Sequence, residues 1–109
     1  MLFADSNARV VGAAHAGWRG AKEGVLSAAV EAMVELGSDL RDIKAAVGPC
    51  IHQPSYEVGP EFQRAFTIDD DRTEKFFIPS TQADHFMFDL AGYVEHQLLT
   101  LGLGQVDVL

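Results

Sequence analysis

Apolar positions along this chain fall into two kinds of run. Val10-Val11-Gly12-Ala13-Ala14 is continuous, which predicts a buried strand. From Ala21 to Leu36 the positions Val25, Ala28, Ala29, Ala32, Met33 and Leu36 recur at helical spacing and Gly37 supplies a stop, so one amphipathic helix is predicted there. Ser38-Asp39 opens a short turn. Ile43-Lys44-Ala45-Ala46-Val47 then reads as a second strand ending at Gly48-Pro49. Strand, helix and strand together predict a parallel unit with a right-handed crossover.

Between Cys50 and Pro60 the density of Pro, Gly and Ser predicts an irregular loop, and Pro60 suits the first position of a short helix through Phe66. Asp69-Asp70-Asp71 is an acidic surface stretch. Phe76-Phe77-Ile78 reads as a short strand, followed by a polar connection from Ser80 to Asp84. Asp89 is placed to cap a helix over Leu90 to Leu101 with Leu90, Val94, Leu98 and Leu101 on its apolar face, closed by Gly102 and Gly104. Gln105 to Leu109 alternates as a strand does. The order is β-α-β-(α)-β-α-β without repeats or low-complexity linkers. It predicts an α+β fold: a layered α/β domain with a mixed β-sheet and a βαβ unit, forming a single domain over residues 1–109.

Composition narrows the partners. The chain has 109 residues, 48% of them hydrophobic, which suits one domain with a modest core. A formal net charge of −8, with no cluster of Lys and Arg, argues against nucleic acid and against anionic membranes as partners. One cysteine cannot form an internal disulfide, and the N-terminus lacks the basic-then-apolar pattern of a secretion signal, so a cytoplasmic location is expected. No apolar run approaches the roughly 20 residues of a membrane-spanning helix.

The chemistry concentrates in His15-Ala16-Gly17-Trp18-Arg19-Gly20, between the first apolar run and the helical pattern. Its glycines permit a sharp turn and close backbone approach, and its reactive side chains stand at a strand's carboxyl end, where ligands gather in sheets with helical crossovers. His15 is a metal ligand or proton carrier, or else a core histidine satisfied by carbonyls. Arg19 opposes the positive end of a helix dipole, which hints at an anionic partner, though it could be a plain surface cation. Trp18 reads as packing rather than as a stacking platform for a base. Cys50 and His52 are a weaker pair, a nucleophile or metal ligand against a small buried thiol. Glu57 is a general base or a cap for the helix after Pro60. His85 and His96 read as solvated or capping groups.

The hexapeptide, with Gly48-Pro49-Cys50-Ile51 and Tyr56-Glu57-Val58-Gly59, closely resembles the laccase-domain family, whose members are named polyphenol oxidases or purine nucleoside phosphorylases. The likeness runs from Met1 to Leu109, with Leu2-Phe3-Ala4 corresponding to a strand and Phe88-Asp89-Leu90 leading into the last helix. It implies a zinc site built from an upstream His, the Cys of an Asp-Cys pair and His15, of which only His15 stands in this sequence. It further implies that the chain is incomplete at both termini, with the Asp-Cys pair expected just before Met1.

The resemblance implies that this is the central part of a zinc-dependent purine nucleoside phosphorylase with adenosine deaminase activity. His15 would hold the metal and Arg19 the phosphate, as a catalytic and substrate-binding group. The alternatives are a copper-dependent polyphenol oxidase, or a non-catalytic truncated remnant. Expected partners are a purine nucleoside, phosphate and, through sheet edges left unpaired, a second copy of the chain.

Overall fold

The computed structural model describes residues 1–109 as two compact units, Met1–Pro49 with Val94–Leu109, and Cys50–Tyr93. No helix is long and apolar enough to cross a membrane.

In the first unit a hairpin comes first. Strands β1 (Leu2–Asp5) and β2 (Val10–Ala13) pair antiparallel, with Phe3 opposite Gly12 and Asp5 opposite Val10. Two helices follow, α1 (Trp18–Glu23) and α2 (Val25–Glu35), then β3 (Lys44–Val47) and, at the end of the chain, β7 (Gln105–Val108). The sheet order is β2-β1-β3-β7; β1 runs antiparallel to both its neighbours and β3 runs parallel to β7. The mixed sheet and the α/β class are as expected from the sequence. The parallel relation of β2 and β3 also holds, but β1 lies between them.

Three local expectations are corrected. The run starting at Val10 is an edge strand rather than a buried one: Val10 is buried while Val11 is 80% exposed, since β2 pairs with one neighbour only. The single helix over Ala21 to Leu36 is two helices, because Gly24 adopts a left-handed φ of +104° that an L side chain resists. Gly24 donates to the Gly20 carbonyl at 3.1 Å and accepts from the Ala28 amide at 3.1 Å, so it ends one helix and starts the next. Finally, the buried stripe of α2 is Leu26, Val30 and Met33, at i, i+4 and i+7, whereas Ala28, Ala32 and Leu36 are exposed. Of the expected face only Met33 is buried, because the larger Leu26 and Val30 gain more by leaving water than alanines do.

Behind α2, Gly37 closes the helix in a left-handed conformation, with its amide on the Val34 carbonyl at 3.0 Å and the Ser38 amide on the Met33 carbonyl at 3.1 Å. Asp39 caps the 3₁₀ turn Leu40–Asp42 by accepting from the Arg41 amide. At the start of β7, a Cβ on Gly104 would overlap the Arg41 carbonyl oxygen, so the β3–β7 entry requires glycine.

The second unit is built around aromatic rings. Strands β4 (Glu57–Val58), β5 (Phe77–Pro79) and β6 (Phe86–Phe88) form an antiparallel sheet in the order β4-β6-β5, with α3 (Pro60–Thr67) following β4. Phe88, fully buried, lies 4.8 to 5.4 Å from the ring centres of Phe77, Phe66, Phe62 and Tyr56. Such edge and offset contacts add to the area that each ring buries. Pro60 opens α3 as predicted. The strand predicted at Phe76 to Ile78 is displaced by one residue, and the connection from Ser80 to Asp84 is the turn of a hairpin whose second strand, β6, had no periodic signature. Residues 71–76, between α3 and β5, form a 3₁₀ helix capped by Asp70.

Helix α4 (Leu90–Leu101) has the predicted bounds, and the unit boundary falls within it. Asp89 Oδ1 accepts from the Gly92 amide at 3.0 Å, which satisfies one of the amides a helix start leaves open. Leu90, Val94 and Leu98 are buried as the spacing requires.

Candidate functional site

Strands β2, β3 and β7 all point the same way, so their carboxyl ends share one rim of the first unit's sheet. Ala14 to Gly17 leave β2 there, Gly48-Pro49 leave β3, and the Leu109 amide donates to the Val47 carbonyl at 3.0 Å. The hexapeptide therefore sits at the expected junction, between the last residue of β2 and the first turn of α1. The Met1 amino group donates to the Ala14 carbonyl at 2.6 Å and the Ala14 amide to the Met1 carbonyl at 3.0 Å, fastening the backbone just before His15.

His15 is exposed, which removes the core-histidine reading. Arg19 is exposed too, and its Cζ lies 5.1 Å from the ring centre of half-buried Trp18. No carboxylate pairs with Arg19. A guanidinium held over a ring by cation–π attraction, with no carboxylate partner, keeps N–H donors available for an anion. Gly17 has an extended backbone and nothing within 4 Å of a Cβ position, so neither strain nor close approach within this chain requires it.

Cys50, His52 and Glu57 belong to the second unit. Cys50 is half-buried and not the buried thiol expected, since the segment Cys50 to His52 runs outside regular structure with Ile51 and His52 exposed. His52 makes no side-chain cap for the 3₁₀ turn Gln53–Ser55 that follows it. Glu57 does not cap α3, whose N-cap is Gly59; its Oε2 instead accepts from the Ser80 hydroxyl. Tyr56 meets Phe88 edge-on at 5.4 Å, and burial pushes its phenol above the usual range. His85 faces the Ala83 carbonyl at 3.0 Å, as a loop-capping group does, and half-buried His96 lies on α4.

No group of three or more His, Cys, Asp and Glu side chains is gathered into a metal site. The donor set within these residues does not fit a zinc centre, which needs three protein ligands and an open position.

Sequence reasoning missed three groups that organise these regions. Gln53 Nε2 donates to the carbonyls of Met87 at 3.1 Å and Phe76 at 3.4 Å, pinning the Pro54-Ser55 turn to the hairpin. Ser80 reaches Glu57 across 23 residues of sequence, a distance at which no local pattern signals a pair. Asp5 is buried at 2% exposure with its Oδ1 accepting from the Asn7 and Ala8 amides at 2.9 and 3.1 Å. Its other oxygen and Ser38 Oγ are both buried without a hydrogen bond of good geometry. The Ala8 amide first, then the Ser38 hydroxyl and the Asn7 amide, hold its carboxyl below the ordinary value against the opposing effect of burial. The Asp5-Ser6-Asn7-Ala8 run is itself a local signal, because an Asx side chain readily accepts from amides two and three residues on.

A family model described as multi-copper polyphenol oxidoreductase laccase matches residues 1–109. Among curated relatives, the chain is 38% identical over 106 residues to a purine nucleoside phosphorylase of Rickettsia conorii, covering 97% of this chain and 43% of the relative. It is 42% identical over 107 residues to a purine nucleoside phosphorylase of Streptomyces griseus, covering 94% of this chain and 40% of the relative. A crystal structure of a Neisseria meningitidis protein from the family DUF152 superposes with a TM-score of 0.83 at 30% identity, over 98% of this chain and 43% of that one. The chain thus spans less than half the length of the relatives it matches.

Proposed function

The chain belongs to the multi-copper polyphenol oxidoreductase laccase family, and from that premise we propose that it is part of a purine nucleoside phosphorylase. The observation that carries this reading is Arg19, exposed, unpaired with any carboxylate and lying over the Trp18 ring at the carboxyl rim of the sheet. Relatives named purine nucleoside phosphorylase, 38% and 42% identical, support it.

In phosphorolysis a phosphate oxygen forms a bond to C1′ of the ribose as the C1′–N9 bond breaks, and the purine leaves with a proton. The products are ribose 1-phosphate and the free base. Arg19 would hold two phosphate oxygens on its fork and so set the attacking oxygen's direction, an orienting role that converts a bimolecular encounter into a positioned one. His15, exposed two residues beyond β2, is available to hold or move a proton.

Zinc and hydrolytic deamination of adenosine belong to this proposal for the whole protein only. A zinc ion held by three protein ligands would supply an activated water for deamination. Within residues 1–109 His15 would supply one donor toward the metal. Copper-dependent oxidation of phenols is the second reading, favoured by the family's description; it needs several clustered imidazole or thiolate ligands. A cytoplasmic setting goes with either enzyme, since Cys50 is a free thiol.

The test is phosphate-dependent release of hypoxanthine from inosine, and of adenine from adenosine, by the 109-residue chain and by the longest reading frame that contains it. Arg19→Ala is expected to raise the KM for phosphate by about 10- to 100-fold, the loss of a charge-assisted pair, with the fold intact by circular dichroism. Metal analysis and a catechol-oxidation assay run on the same samples. Zinc near one equivalent with purine release supports the proposal; copper with phenol oxidation and no purine release overturns it. Purine release by the longer frame alone also supports the proposal, which reads the chain as part of the enzyme; no release by any frame that contains it makes the chain a non-catalytic remnant.

A further inference from the structure

A groove of about 470 Å³ opens in the second unit, a volume within the range of small-molecule sites. Its lining combines the carboxylate of Glu57, the hydroxyls of Ser55, Ser80 and Thr81, and the apolar side chains of Pro54, Pro79 and Met87. All of them belong to Cys50–Tyr93. Both walls are fixed to β6: Glu57 and Ile78 pair with Met87 from opposite sides, and Gln53 holds the Pro54-Ser55 turn to the Met87 carbonyl at 3.1 Å.

Hydrogen-bond donors in this lining are largely spent. Pro54 and Pro79 have no amide N–H. The Ser55 amide donates to the His52 carbonyl at 2.9 Å and the Ser80 amide to the His85 carbonyl at 2.9 Å. The Ser80 hydroxyl gives its proton to Glu57 Oε2 and accepts from the Gln82 amide at 3.2 Å. Acceptors remain, because Glu57 is exposed with its Oε1 outside that bond, and the Ser55 and Thr81 hydroxyls carry lone pairs. A ligand matched to this lining gives hydrogen bonds and asks for none.

Charge and coordination narrow the choice. Glu57 is the one charged residue of the lining and the chain carries a net charge of −8, so anions are repelled. A neutral alcohol brings lone pairs for which few donors are left. Among cations, a calcium-like metal needs about six or more oxygen ligands, and no group of three His, Cys, Asp and Glu side chains is gathered here. A guanidinium is best met by both oxygens of a carboxylate, and Ser80 already engages Oε2. A quaternary ammonium favours aromatic faces, and the lining has no ring. A primary ammonium donates and does not accept. An unbranched stem behind it would lie against the two prolines and Met87, whose thioether adapts to irregular shapes.

We propose that the Glu57 groove binds a small aliphatic primary amine, with its ammonium on Glu57 Oε1 and its hydrocarbon stem across Pro54, Pro79 and Met87.

The experiment is a titration of the ¹⁵N-labelled 109-residue chain with n-pentylamine, 1-pentanol, pentanoate and Nα-acetyl-lysine methylamide at matched pH and ionic strength, followed by amide chemical shifts. Pentylamine is expected to move the amides of Ser55, Glu57, Ser80, Thr81 and Met87. Pentanol, with the same stem and no charge, should bind about five- to tenfold more weakly, and pentanoate should leave these amides in place. Glu57→Gln should weaken pentylamine by about the same factor and leave pentanol unchanged. The amine-to-alcohol comparison uses the unmodified chain, so it does not depend on a variant folding. Equal binding of pentylamine and pentanol, or shifts confined to residues outside the groove, overturns the inference. Tighter binding of the lysine derivative than of pentylamine assigns the ammonium to a peptide side chain and overturns the free amine. Every residue read out belongs to the second unit, so the amine site and the phosphorylase reading fail separately.

Discussion

Asp5 organises the turn between β1 and β2 from inside, with two backbone amides on one carboxylate oxygen. A carboxyl held below its ordinary value in the folded chain contributes stability that is complete above the unfolded value and is lost as pH falls through the folded one. Thermal stability should therefore decline on acidification below about pH 4, and Asp5→Asn should flatten that decline, because a neutral amide has no proton to take up. Melting curves of both proteins between about pH 7 and pH 3 check this; a variant as acid-sensitive as the parent would assign the decline to other carboxylates. Asp39, also held low by its Arg41 partner, is the first of those, though that pair is exposed and contributes little. At this scale much was legible: Asp89 as a cap, Pro60 as a helix start and His15 just past a strand end all follow from local rules. Glu57 was legible as a residue worth noticing but not as the partner of Ser80, because the pairing is made by strand register.

The break between α1 and α2 turns on one backbone conformation. At Gly24 the left-handed φ of +104° is accessible to glycine and strained for any other L residue, while no heavy atom lies within 4 Å of a Cβ there. Gly24→Ala is thus expected to cost about 1–2 kcal/mol through backbone strain alone, measured as a shift in the urea midpoint with an unchanged slope. An unaffected midpoint would mean that the two helices can merge. The periodicity of Ala21 to Leu36 did predict helix, yet the break was invisible in it, since an isolated glycine costs a helix only about 1 kcal/mol and many helices carry one. Element β6 was missed for a different reason. Three residues, Phe86-Met87-Phe88, are too few to show alternation, and they are strand because β4 and β5 pair with them on either side.

In the first unit the sheet leaves both edges, β2 and β7, unpaired within the chain. Its β1–β2 face also carries Leu2 at 66% and Val11 at 80% exposure, on the side away from buried Phe3 and Val10. Unpaired edges with apolar side chains recruit further strands. The 109-residue chain is expected to associate with rising concentration in light scattering, and Val11→Lys, which sets a charge on the edge, should return it to a monomer. A monomer in both cases would mean that these edges are protected in solution. The relatives' greater length bears on this scale, since 43% of a folded protein of this family superposes on the chain with a TM-score of 0.83. The fold class and family were readable in the sequence because the hexapeptide and its companion motifs are long and specific.

By itself the sequence determined the helices α3 and α4, the strands at residues 10–13, 44–47 and 105–108, and the placement of His15 and Arg19 at a strand-to-helix junction. All of these rest on interactions spanning a few residues: hydrophobic period, caps, and the restricted φ of proline. Only the tertiary structure decided that β1 separates β2 from β3, that β2 is an edge, that Leu26 and Val30 join Met33 in the buried stripe of α2, and that Ser80 meets Glu57 beside a groove. Those outcomes depend on which distant segments pair and what they bury, and the free energy of such pairing belongs to both partners at once. No window of one sequence segment contains it.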